Sequence, residues 1–333
     1  MMRVRSEDAA LRPGWERVLM SARLVLTAGL LVALFFAFRL TPARLAKIFG
    51  DASWSHLVLA FGVLAVLMLL LSIKWYVIAR ALNVATSFPS VTRMYLMGTV
   101  LSNVLPTAIG GDLYRVLALS REGRTSVRGS LVTVAIERAT GYAGLLLLAG
   151  IAAAFYFAGV VAGVAATLLL ALLAGATHFA VRRHGSGDFD EAESGSWRWW
   201  RSPSAGLTVR RVAVLSIVQQ GMWITVAAIL GLAYDVSVPW TYWAVTVTAM
   251  TLVTALPLSV GGLGIREVGY VSLLAPVGVD AGKAAAISLA MGFGPSLVSL
   301  VVILPFLFLR TPSQHPAPAT VVHGEQARAD RIG

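Results

Sequence analysis

Long apolar runs alternate along the chain with short clusters of arginine, glycine and proline. The runs Leu24 to Phe38, Leu57 to Ile73, Leu131 to Phe157, Val160 to Ala180, Val212 to Leu232 and Ala284 to Leu309 are almost free of charge. A helix crosses the hydrocarbon core with about 20 mostly apolar residues, so the pattern predicts about six transmembrane helices. Two more stretches, near residues 94–121 and 241–277, are apolar but interrupted by proline and glycine pairs. They are expected to dip into the bilayer and return. The predicted fold class is therefore an all-α polytopic membrane protein with two re-entrant broken hairpins.

The interruptions are related to each other. Pro106 to Arg115 and Pro257 to Arg266 both read P-x3-G-G-x3-R, with every matched position displaced by 151 residues. The same displacement carries the run at 57–73 onto 208–224 and the run at 131–157 onto 282–308, which overlap two further apolar runs. Two repeats are thus expected, about 57–158 and 208–309. Three predicted spans separate the motifs, so the hairpins should enter from opposite sides, as an inverted repeat. The breaking residues are Pro106, Gly110 and Gly111 in the first copy, and Pro257, Gly261, Gly262 and Gly264 in the second. Broken backbone inside a membrane is tolerated only against protein or a wet cavity. A helix beginning after each glycine pair would aim unpaired N–H groups at such a cavity, which suits an anion.

Composition fits this picture. Of 333 residues, 57% are hydrophobic and 13% charged, against roughly a quarter charged in soluble domains. The net charge of +11 could suggest nucleic acid, but the arginines flank the spans, so the positive-inside rule explains them and no nucleic-acid partner is expected. With both termini placed in the cytoplasm, 21 of the 27 Lys and Arg fall on the cytoplasmic side, Lys74 among them. The inner, cytoplasmic membrane is the expected location. Residues 1–20 form a basic cytoplasmic segment, and Phe35, Phe36 and Phe38 stand where a leader would need small residues, so the first run is expected to be a retained anchor. Residues 21–310 form one membrane domain with a cytoplasmic loop at 182–211, whose Trp and Arg cluster suits the headgroup layer. The tail at 311–333 is expected to be disordered. Absence of cysteine excludes disulfides and thiolate metal sites, and the five scattered histidines form no ligand pair. No metal, cofactor or phosphate-cradling Gly-x4-Gly-Lys loop is expected.

The charged residues within the apolar stretches are the candidate substrate-binding groups. Arg115 and Arg266 each lie about one turn beyond a glycine pair, where a guanidinium would suit a lipid phosphate. Alternatively, Arg115 belongs to an interfacial patch and Arg266 snorkels. Glu137 and Arg138 lie roughly 14 Å beyond Arg128 along a helix rising about 1.5 Å per residue, near mid-bilayer. They point about 100° apart and are expected to pair with other segments, Arg138 with Asp112 or Glu267. A transport role and a structural ion network between the halves both fit. Asp112 is also placed to cap a helix starting at Leu113, and Glu267 to complement a helix dipole. Asn103, in the first broken region, is a candidate cavity residue.

The run from Pro106 to Arg115, the Glu137-Arg138 pair and Gly261 to Glu267 followed by Gly269 resemble the lysylphosphatidylglycerol synthase transmembrane-region family, also called the flippase-like membrane domain family. The resemblance covers roughly residues 20–310. It implies a lipid-handling membrane domain; in the best-known relative, such a domain is implied to move aminoacylated phosphatidylglycerol between leaflets. That relative also carries a soluble aminoacyl transferase, which is not expected in this chain, so lipid aminoacylation does not carry over. The resulting expectation is a flippase for an anionic phospholipid or a lipid-linked intermediate, guided by Arg115, Arg138 and Arg266, with Asp112, Glu137 and Glu267 balancing charge. The alternative is a membrane enzyme, or an accessory subunit presenting lipid to a partner transferase. The sequence leaves the oligomeric state open.

Overall fold

The computed structural model describes residues 42–104, 110–123, 125–184, 205–256 and 259–308, with isolated positions between 25 and 32 and, for most of 160–184, the backbone alone. Pro106 and Pro257, most of the first apolar run, the middle of the 182–211 loop and the 311–333 tail lie outside the described residues. Helices are α1 (Pro42–Gly50), α2 (Trp54–Ala81), α3 (Phe88–Val104), α4 (Gly110–Glu122), α5 (Val127–His184), α6 (Ala205–Ala233), α7 (Trp240–Ala255), α8 (Ile265–Leu274) and α9 (Ala281–Phe308). No strand occurs among the described residues.

Among the described residues, four helical stretches are long and apolar enough to cross a membrane: Trp54–Ala81, Val127–Gly159, Gly206–Ala233 and Ala281–Leu307. Their outward faces leave large apolar side chains exposed, including Val58, Val66, Leu131, Leu146, Val214 and Val301. In water such a surface would aggregate; in a bilayer it meets lipid. This is a multi-pass membrane protein. Within α5 the backbone breaks at Gly159 (φ 83°, ψ 179°), between the two apolar runs of that region. A Cβ would strain this positive φ, and glycine adopts it freely.

The succession long, short, short, long occurs twice, as α2 to α5 and as α6 to α9. A displacement of 151 carries α3 onto 239–255, where α7 spans Trp240–Ala255. Packing partners exchange accordingly: α3 rests on α9 of the second half, and its counterpart α7 rests on α5 of the first. The corresponding helices α2 and α6 pack most extensively of all. They run antiparallel, since the Ser53 amide donates to the Ala233 carbonyl at 2.8 Å while Lys74 reaches Gln219 farther along. Trp75, Leu64 and Leu67 on α2 and Ile224 and Leu230 on α6 are all fully buried.

Burial corrects the charge count. Lys74 is not at the cytoplasmic surface: its relative exposure is 0%. The helix continues past it to Ala81, and the aromatic Trp75 beside it carries the apolar face onward.

Candidate functional site

The two glycine pairs, alike in sequence, fold differently. Gly110 is already helical, so α4 does not begin beyond the pair. Gly111 serves close packing, because a Cβ there would collide with the Gly98 carbonyl and the Ser102 hydroxyl of α3. The second pair forms a turn, Val260–Gly262, with φ of 59° at Gly261 and 75° at Gly262, and Gly264 follows at 80°. L side chains rarely adopt three such angles in four residues. The turn packs against α3 as well. Glu267 then reaches back to accept from the Gly264 amide at 2.6 Å, closing the first turn of α8.

Asp112 sits inside the first turn of α4 and does not cap it. Its carboxylate accepts from Arg138 Nε at 3.0 Å and Nη2 at 2.9 Å, and from Arg115 Nη1 at 3.2 Å. Arg115 also donates to Glu137 Oε2 through both terminal nitrogens, at 3.3 Å each. Its guanidinium lies between the Trp75 and Tyr95 rings, 4.3 Å from each centroid. Arg115 and Glu137 side chains are each 3% exposed, whereas Arg138 is 46% exposed. Neighbouring residues on α5 therefore face different environments: Glu137 closes a sealed pair and Arg138 remains open.

Between the halves lies a chamber of about 350 Å³. Arg138, Glu137, Asn103 and Tyr95 line it from the first half; Arg266, Gly261, Gly262 and Gln220 line it from the second. Several lining positions are repeat counterparts, such as Asn103 with Thr254 and Gly141 with Gly292. Arg266 lies across Gly292, where a Cβ would collide with the guanidinium, and donates to Glu267 Oε1 at 3.2 Å. Ser288 donates to the same oxygen at 3.2 Å. Asn103 Nδ2 donates to the Gly292 carbonyl at 2.9 Å and to Ser296 Oγ at 2.6 Å, tying α3 to α9. Pro295, also in the wall, has no N–H, so the Met291 carbonyl one turn earlier loses its helical donor.

The chamber thus contains Arg138, Arg266, Asn103 and Glu137 of the candidate residues. Asp112 and Glu267 stand behind it as partners of the two arginines, and Arg115 is sealed away from it. Sequence reading missed Lys74, Gln219 and Gln220. Lys74 Nζ donates to the Glu137 carbonyl at 3.1 Å and to Gln219 Oε1 at 3.0 Å, and Gln220 Nε2 donates to the Gly141 carbonyl at 2.9 Å. The available signal was a glutamine pair in the middle of an apolar span, which must find partners inside the protein.

A chain of this architecture, with a cationic chamber between two halves, matches the family model described as the lysylphosphatidylglycerol synthase TM region over residues 20–306. The chain belongs to this family. No individually curated sequence matches it. Membership in the lysylphosphatidylglycerol synthase TM region family ties the protein to the handling of membrane lipids, and the match takes in every helix described above except the last two residues of α9.

Proposed function

We propose that the protein carries an anionic phospholipid, or an anionic lipid-linked intermediate, across the cytoplasmic membrane through the chamber between its halves. The observation that carries this reading is the placement of Arg138 and Arg266, one from each half, in the wall of one cavity. Ionisable groups inside a membrane default to function, and a guanidinium matches a phosphodiester by paired donors.

Charge supports it. Among the described residues, Arg138 and Arg266 in the chamber wall and Lys74 and Arg115 behind it have Asp112, Glu137 and Glu267 to answer them. When Lys74 is protonated, one positive charge is left over for an anion to neutralise. Each of the three carboxylates already accepts from an arginine, which favours carriage over acid–base chemistry. The antiparallel pairing of α2 with α6 supports an inverted repeat, the arrangement in which a central site can open to either side in turn. The arginine distribution supports a cytoplasmic position for both termini.

Reconstitution tests this reading. Liposomes containing the protein and a labelled phosphatidylglycerol should move label between leaflets faster than empty liposomes, and an Arg138→Gln/Arg266→Gln variant should lose the gain. Equal rates with and without protein, across a panel of anionic and polyprenyl-phosphate lipids, contradict it.

A further inference from the structure

Among the charged side chains around the chamber, Lys74 is the exception in its partners. Its Nζ donates to a backbone carbonyl and an amide oxygen, both neutral. Among the described residues no carboxylate lies within ion-pair distance of it, whereas Arg115, Arg138 and Arg266 each have one. Yet Lys74 is fully buried.

A buried ammonium without a counter-ion is costly, and such a group either meets a negative charge or gives up its proton. The geometry accommodates both states. A neutral amine has two N–H groups, and two acceptors are in place; an ammonium has a third donor. A Cβ on Gly141 would stand 3.6 Å from Nζ, so the amine lies directly behind the bare backbone of a residue that lines the chamber. Gln219, which holds the amine, also lines it.

The charged and titratable neighbours come from several helices. Glu137 and Arg138 face Lys74 from α5, and Arg115 from α4. Helix α6 presents Gln219 and Gln220, which do not titrate. The one charged residue of α9 is Lys283, in its first turn. Because Arg115 with Glu137 and Arg138 with Asp112 already form pairs, Lys74 holds the charge that chamber occupancy can change.

We propose that Lys74 carries a proton coupled to anion occupancy: it is neutral while the chamber is empty and protonated while an anion lies beside Arg138 and Arg266. The proton passes from hydronium or buffer acid in the bulk solvent to the amine lone pair, leaving water or the buffer base behind, and anion plus proton add no net charge to the membrane interior. The protein is then a proton–anion cotransporter, and a proton gradient can drive the lipid. This inference rests on the chamber being the anion site.

Calorimetric titration of the purified full chain with dihexanoyl-phosphatidylglycerol, in buffers of different ionisation enthalpy from about pH 6 to about pH 10, reads proton uptake directly. The probe's phosphodiester does not titrate there. The wild type should take up close to one proton per anion within a window of pH. In that window affinity should fall about tenfold per pH unit, since occupancy and protonation favour each other reciprocally. Lys74→Met should bind without uptake and with affinity independent of pH. Lys74→Arg, which keeps a permanent charge, should also lack uptake but retain the wild-type affinity of low pH. Binding by the wild type with no uptake at any pH, or undiminished uptake in both variants, overturns the inference and leaves the chamber reading standing. No binding by the wild type at any pH removes the chamber reading, and this inference with it.

Discussion

The guanidinium of Arg266 rests on the bare Cα of Gly292, so the position of a chamber cation on α8 is set by the absence of a side chain on α9. Gly292→Ala should therefore act on function more than on folding. The obstructed group is the far end of a flexible side chain, which can swing aside at small cost, but its donors then leave the chamber. Loss of one charge-assisted interaction of about 1.5–3 kcal/mol predicts roughly 10- to 100-fold weaker binding of short-chain phosphatidylglycerol. The unfolding temperature should barely change. Gly221→Ala, with open space around it, is the control and should change neither.

The sealed Arg115–Glu137 pair should behave in the opposite way. Glu137→Ala leaves a guanidinium that is 3% exposed with Asp112 as its remaining acid, and removal of one partner of a buried pair costs about 3–5 kcal/mol. Adding Arg115→Met should recover most of that loss. Asp112→Asn, whose partner Arg138 is 46% exposed, should cost far less stability and instead alter anion affinity. Thermal unfolding of purified variants in detergent, beside phosphatidylglycerol titrations, separates the three.

Equivalent substitutions in the two glycine pairs should diverge. At Gly111 any side chain meets backbone, so Ala should cost about 1–3 kcal/mol by overpacking, and the larger Asn more. At Gly261 nothing stands within 4 Å and the obstacle is φ alone. Asparagine visits left-handed backbone more readily than alanine, so Gly261→Asn should be milder than Gly261→Ala. Unfolding temperatures of the four variants give the comparison.

The fold was largely legible because the bilayer forces apolar runs into helices, and the P-x3-G-G-x3-R recurrence shares its displacement of 151 with the pair α3 and α7. Glu137 and Arg138 stood out for the same reason: charge within an apolar run. Which arginine meets the chamber was not legible. Arg115 and Arg266 occupy matching motif positions, yet the first is enclosed by Trp75 and Tyr95, and the second lies over Gly292. Those neighbours come from helices distant in sequence, and no local spacing encodes them. Lys74 was hidden because a basic residue at the end of an apolar run reads as a cytoplasmic flank. Only the packing of α2 on α6 shows that the helix carries it inward.

Because the chain contains no cysteine, single introduced thiols report without background. Asn103→Cys and Thr254→Cys, counterparts in the two halves, both face the chamber. The most direct measurement is their labelling by a membrane-impermeant maleimide in proteoliposomes, with and without added short-chain phosphatidylglycerol. The predicted result is that both thiols react and that phosphatidylglycerol protects both, while the zwitterionic phosphatidylcholine analogue protects neither. If neither thiol reacts from either side, or phosphatidylcholine protects equally, no water-accessible anion chamber lies between the halves.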